Sequence, residues 1–404
     1  MNLSKIKAIA AIAAVSSGAV FAQFNTPANA RMNSLAGVPM RDISNVYSYP
    51  VLMAGYLEHI QATWDGGENG AVIGIKSVSD MFSIGVLANQ GLMAPGLAGD
   101  ALNYLNAAPG GGIGIDAENA VIPHILLGFD LGAVAIGADV FFEYAGYSAS
   151  TQAADGAKTS YSGSYSNPGA RLSARFGVAD ADILAKFGLG FPSINASGVA
   201  SDPKIASDEG LYMEVGAEAG MPFGNADWTL GMNYTRSDQR FKNGNDLEPN
   251  AICYSLLRAY AGLEFNFVET AAAALSYSFD RYARTVTAPD ASNNQSNSNP
   301  INHYHRLSAG VENAWENVWF FDSFQLRGGA LYEILALNGS KASTSNPTTS
   351  SDASPPAAHQ RVAPALGIGV TKAFFTLDAA LNPGNWAGVF TGPQVAMATA
   401  TVKF

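Results

Sequence analysis

One cysteine, Cys253, stands in 404 residues, so no disulfide framework braces this chain. It lies far from the N-terminus, which also excludes a lipid-modified cysteine at an export cleavage site. A thiol that fills a strand is the plain expectation for it. Charge is scarce as well: Asp, Glu, Lys and Arg make up 14% of the residues, against roughly 25% in soluble domains. What charge there is leans acidic, with a formal net of −11, and argues against a nucleic-acid partner. Long apolar runs are missing too. Beyond the first residues nothing offers the roughly 20 consecutive apolar side chains that a bilayer helix needs, so any membrane role falls to strands.

What is present begins with an export signal. Lys5 and Lys7 precede an apolar stretch from Ala8 to Val15, and small residues with Val20 and Ala22 are placed for cleavage before Gln23. Residues 1–22 are therefore expected to be a signal peptide, removed on export. The remainder is rich in Gly (42), Phe (21) and Tyr (16), which favours one large barrel over two or three soluble domains.

From Ala54 onward, about ten residues of period-two alternation recur. Leu211, Met213, Val215, Ala217, Ala219 and Met221 alternate with Tyr212, Glu214, Gly216, Glu218 and Gly220. Successive strand side chains point to opposite faces, so one face meets oil and the other water. Charges obey the same rule. Arg171 and Arg175 oppose Leu172, Ala174 and Phe176; Lys186 opposes Ile183 and Phe187; Asp139 and Glu143 oppose Val140 and Phe142. Arg306 and Glu312 oppose Leu307 and Val311, and Arg327 and Glu333 oppose Leu326 and Tyr332. A basic side chain facing lipid at mid-depth costs roughly 2–4 kcal/mol, so regular charge on one face marks that face as wet.

The junctions alternate between short and long. Short ones fall at Ser79–Asp80, Asp130–Ala133, Ala179–Ala181, Gly224–Ala226, Val268–Thr270, Val318–Phe321 and Lys372–Phe374. Polar stretches such as 287–300 and 338–356 lie between them. This predicts an all-β fold: a transmembrane antiparallel up-and-down β-barrel of about 14 to 16 strands over residues 54–404, with short periplasmic turns and long extracellular loops. Trp228, Trp315, Trp319, Phe320, Phe321, Phe374 and Phe375 flank short turns, while Trp64 and Trp386 sit at opposite strand ends, as two aromatic girdles would. In the last strand Ala398, Ala400, Val402 and Phe404 share one face. An alternating strand that finishes on Phe404 resembles the signal by which outer-membrane barrels are recognised for insertion. That resemblance implies outer-membrane lipid and the barrel-assembly machinery as partners, and the outer membrane of a Gram-negative bacterium as the location.

Residues 23–53 do not alternate. The run ARMNSLAGVPMRDISNVYSYPVLM, 30–53, resembles the start of barrels of the long-chain fatty-acid transporter (FadL-like) superfamily and their secretion-associated relatives. In those barrels an Arg, a small-residue turn, an acidic residue and an Asn-Pro-Ala motif form an N-terminal plug. Arg31, Gly37, Asp42 and Pro50 occupy the counterpart positions, although the tripeptide here reads Tyr49-Pro50-Val51. The resemblance implies a plug; the residues by themselves leave a periplasmic linker equally open.

Catalytic chemistry finds little support. His303 and His305 would point the same way on a strand, but no further ligand stands at metal spacing, and surface histidines are the simpler expectation. GGGIGID, 110–116, lacks the strand-to-helix setting of a dinucleotide loop, and no G-x-S-x-G occurs. The expectation is a non-enzyme without cofactor or metal. Inward charges Asp139, Glu143, Arg171, Arg175, Lys186, Glu214, Glu218, Arg258, Glu264, Arg306, Glu312, Arg327 and Glu333 either set a field across a wet channel or salt-bridge a rigid interior. Segment 89–112 carries Leu92, Met93, Leu97, Leu102 and Leu105, an apolar mouth element that either collects a greasy ligand, as the resemblance implies, or only narrows the entrance. The expected function is a channel or transporter for small molecules, apolar ones preferred. The alternative is a structural barrel for surface interaction or secretion, with no transport role.

Overall fold

The computed structural model describes residues 30–31, 35–36, 43–64, 70–88, 122–152, 158–178, 180–198, 205–243, 250–268, 270–289, 295–298, 301–338, 358–381 and 395–404. The signal segment 1–22, Gly37, Asp42, the mouth residues Leu92, Met93, Leu97, Leu102 and Leu105, and Trp386 lie outside the described residues.

Sixteen antiparallel strands close into an up-and-down barrel. The first strand, His59–Trp64, pairs with the second, Gly70–Ser79, and with the last, Val395–Lys403, so no edge is left bare. That closure is what hydrocarbon demands, since unpaired backbone groups there find no water. The wall is not uniform in height. The strands Phe82–Ala88, Pro123–Asp130 and Phe375–Leu381 join those three as the short side. The opposite side is built from long strands such as Val134–Gln152, Lys158–Val178, Ile205–Phe223, Ala226–Asn243, Asn250–Val268 and Ala271–Pro289. Two strands are interrupted without losing register: Ala181–Gly190 continues as Ser193–Gly198, and Gln295–Ser298 leads into Ile301–Glu316. The first break falls at Pro192, which has no N–H to give the ladder.

At all seven short junctions the flanking strands pair as hairpins, with the junctions at one end of the barrel. Backbone closure happens at the same end, where the Phe404 N–H donates to the Glu58 carbonyl at 2.9 Å. Oil and water faces separate as the alternation predicts. Outward positions are exposed and apolar, among them Leu172, Phe187, Val215, Leu230, Met232 and Val311, while Asp139, Arg171, Lys186, Glu214 and Arg327 point inward and are buried. Trp319 is 90% exposed on its short turn, with Phe320 and Phe374 close to it at that rim, an aromatic belt at the expected depth. His303 and His305 face outward on Ile301–Glu316, where the His305 Nδ1 lies 2.8 Å from the Tyr277 hydroxyl and both rings pack on Phe279. Among the described residues no His, Cys, Asp and Glu group suits a metal ion.

One expectation is corrected. The first strand begins at His59, not at 54, because Pro50–Tyr56 is a 3-10 helix with Pro50 in its first turn. The proline sets φ for a helical start and gives up an N–H that would be orphaned anyway. The hairpin ladder after Val134 also runs on through polar sequence, to Gln152 on one strand and from Lys158 on the other. Once a hairpin rises above the bilayer both of its faces are wet, so the hydrophobic period vanishes while the backbone hydrogen bonds persist.

A plugged lumen as the candidate functional site

The inside of the barrel is filled from below by the N-terminal segment. Two short 3-10 helices, Ile43–Tyr47 and Pro50–Tyr56, lie within the wall rather than beneath it. Ile43, Val46 and Met53 pack on Ile73, Ile75, Leu87 and Leu126, inward residues of the second, third and fourth strands. Tyr49 and Val51 pack on Ala135 and Leu184, and Ala30 on Ala380 and Met397. Burying aliphatic side chains such as these fully contributes roughly 1.5–3 kcal/mol each, so these apolar contacts help hold the segment on the wall.

Glycines in the wall allow the plug backbone to come close. A Cβ added at Gly137 would stand 2.5 Å from the Pro50 carbonyl carbon and from the Val51 Cα, nearer than real Cβ contacts occur. At Gly329 it would stand 2.8 Å from the Leu35 carbonyl carbon, and at Gly310 3.0 Å from the Leu35 oxygen. Hydrogen bonds then fix the register of plug on wall. The Val51 N–H donates to the Ser173 Oγ at 2.8 Å, the Arg171 guanidinium donates to the Tyr47 carbonyl at 2.5 Å, and the Ala30 N–H donates to the Thr399 Oγ1 at 2.9 Å. The Tyr49 hydroxyl donates to the Asn233 Oδ1 at 3.3 Å, and the Lys186 ammonium sits 5.0 Å from the centre of the Tyr49 ring, at cation–π range.

Of the plug residues predicted from sequence, Arg31 makes a two-pronged ion pair with Glu312, both contacts at 3.0 Å, and Pro50 opens the second plug helix. The inward charges are brought together in three clusters. In the first, Glu214 binds the Lys186 ammonium, the Arg171 Nε at 3.0 Å and the Tyr212 hydroxyl at 3.0 Å. Arg171 also reaches Asp139 at 3.7 Å, which in turn binds the His124 Nδ1 at 2.9 Å. In the second, Asp280 holds Arg258 at 2.8 Å and Arg306 at 2.5 Å, and Arg306 also meets Glu333. In the third, Glu312 is shared by Arg31 and Arg327, and Arg327 continues to Asp378 at 2.6 Å. Glu143 accepts from the Asn167 amide at 2.8 Å, and Glu218 from the Tyr260 hydroxyl. Arg175 reaches Asp130 at 3.5 Å near the short turns, and Glu264 lines a cavity of about 260 Å³ there with Asp180, Asp182 and Asp227. Most of the inward charges named here are thus paired with one another.

Sequence reasoning missed His124, Ser173, Asn233, Thr399 and the inward aliphatics Ile73, Ile75, Leu87 and Leu126. A signal for the last four was there. The second to fourth strands are apolar on both faces, which in a barrel means that something dry covers the inside.

No family model matches the chain, and no curated protein matches it. Among solved structures it is similar to CdiB from Escherichia coli at 12% identity and a TM-score of 0.42, over 86% of this chain and 63% of that one. It thus spans less than two thirds of CdiB. A Pseudomonas aeruginosa FadL homologue is similar at 11% identity and a TM-score of 0.49, over 95% of this chain and 100% of that one. The Ralstonia pickettii toluene transporter TbuX is similar at 10% identity and a TM-score of 0.41, over 95% of this chain and 100% of that one. The solved barrels to which this chain is similar therefore include a FadL homologue and a CdiB.

Proposed function

We propose that this chain is an outer-membrane channel or transporter that passes small molecules, apolar ones preferred, through a lumen closed by its own N-terminal segment. One observation carries the reading: residues 43–56 lie inside a closed sixteen-strand barrel and are seated on its wall by packing and hydrogen bonds, with Arg31 further up the segment paired to Glu312. A stopper tied to the wall covalently only at its end, through Leu57 and Glu58, can shift, and a barrel of this width leaves an aqueous path once it has. Its work is then passage, with no bond chemistry assigned to it. The short turns face the periplasm and the long hairpins the exterior. Residues 1–22 are removed on export, and the assembly machinery engages the strand that carries Phe404. The apolar mouth residues Leu92, Met93, Leu97, Leu102 and Leu105 are assigned the capture of ligand.

The test is conductance in a planar bilayer, recorded for the full mature chain and again after deleting residues 23–53. The intact protein is expected to pass little current and the deletion to give large, discrete steps. Equal conductance in both would overturn the plug, and a silent deletion that is still folded would leave a scaffold as the better reading.

A further inference from the structure

Polar side chains along the described inner wall are mostly paired, but Ser237 and Gln239 are among the exceptions. Ser237 and Gln239 project from the inner face of Ala226–Asn243, each only 1% exposed. The Ser237 Oγ and both the Nε2 and Oε1 of Gln239 have no hydrogen-bond partner among the described residues. Each such group left unmade costs about 1–3 kcal/mol, and apolar residues at the same places would avoid that. Unpaired buried groups call for a partner that the described residues do not supply.

The surroundings say what kind. Ser237 stands four residues further from the short turns than Asn233, which receives the Tyr49 hydroxyl, so the patch lies beyond the plug. Register sets Ser237 beside Tyr254 on one side and Tyr212 on the other, and Gln239 beside Ile252 and Gly210. Tyr254 stacks on Tyr282 with ring centres 5.9 Å apart and planes 25° from parallel. A hydroxyl and a carboxamide, about 7 Å apart by strand rise, thus sit next to a flat aromatic pair. The lumen cations in the neighbouring clusters are already engaged: Arg171 and Lys186 by Glu214, Arg258 by Asp280, and Arg306 by Asp280 and Glu333. Among the described side chains a carboxylate would meet no free countercharge there. A neutral group that both donates and accepts matches a carboxamide in full, giving its N–H to the Gln239 Oε1 and taking hydrogen bonds from the Gln239 Nε2 and the Ser237 hydroxyl.

We infer that Ser237 and Gln239 form a lumen binding site for the uncharged polar head of a small amphiphile of the carboxamide class, with its apolar part against Tyr254 and Tyr282. The inference deepens the passage reading and rests on it, yet occupancy is read at equilibrium without current, so failure of binding and failure of conduction are separate results. The experiment titrates benzamide, and in parallel benzoate, into the purified full mature chain in detergent, followed by calorimetry. Benzamide is expected to bind saturably and benzoate at least tenfold more weakly. Gln239→Leu is expected to weaken benzamide at least tenfold while the folded, heat-modifiable band is kept, and Ser237→Ala to weaken it several-fold. Should Gln239→Leu fail to fold, Ser237→Ala decides. Absence of saturable benzamide binding to the unaltered chain, equal binding of benzoate, or folded variants that bind as tightly would each overturn the assignment.

Discussion

A single methyl group placed at Gly137 is expected to open this barrel. The Cβ of Gly137→Ala would fall on the backbone of Pro50 and Val51, which cannot rotate aside as a side chain would. Either the plug lifts off the wall or the strand Val134–Gln152 bends, and the strand is clamped along its length by two neighbours. The plug is held by fewer contacts, so it is the part that yields. Its departure frees the Ser173 hydroxyl and the Arg171 guanidinium from Val51 and Tyr47, wets Ile73, Ile75, Leu87 and Leu126, and leaves a lumen wide enough for water. Bilayer recordings should show discrete steps absent from the unaltered protein, with residues 23–53 newly open to added protease. Gly55→Ala is the control: a Cβ there meets nothing within 4 Å, and no change is expected. A Gly137→Ala barrel that is folded yet as closed as the parent would refute the close seat.

The second large effect is on stability. Glu214 is fully buried between the Arg171 guanidinium and the Lys186 ammonium. Glu214→Ala leaves two buried cations facing each other, with Asp139, itself shared with His124, as the remaining nearby anion. Breaking a buried pair by deleting one partner typically costs 3–5 kcal/mol, because the stranded charge keeps its desolvation penalty. A loss of about that size is expected in urea unfolding from lipid vesicles. Glu214→Gln should lose less, since its one amide oxygen still accepts from one of the donors that Glu214 serves with two. Replacing Lys186 by Met in the Glu214→Ala background should restore part of the loss. A Glu214→Ala barrel within 1 kcal/mol of the parent would mean that the cluster is far more hydrated than its geometry implies.

Much of the wall was legible because lipid imposes a strict rule on one face. Each of the seven short junctions and the inward placement of Arg171, Lys186, Glu214 and Arg327 follow from period two alone. The rule fails where lipid is absent. Above the bilayer, Ser148–Gln152 and Lys158–Asn167 pair as strand although neither face is apolar. Inside the barrel, the plug seat at Gly137, Gly310 and Gly329 is written in residues without side chains, and only the packing partner gives them meaning. Resemblance pointed to Arg31, Asp42 and Pro50 as plug residues; the structure places Arg31 on Glu312 and Pro50 at a helix start, while Asp42 is outside the described residues. Pairing of the inward charges was not legible, because it depends on which strands become neighbours and in what register.

Central to all of this is which side of each strand touches oil. A spin-label scan along Leu211–Met221 in lipid vesicles, one position at a time, reads contact with dissolved oxygen and with a water-soluble nickel chelate. High oxygen contact is predicted at 211, 213, 215, 217, 219 and 221, with low oxygen contact at 212, 214, 216, 218 and 220. A flat oxygen profile, or maxima at Glu214 and Glu218, would contradict the account.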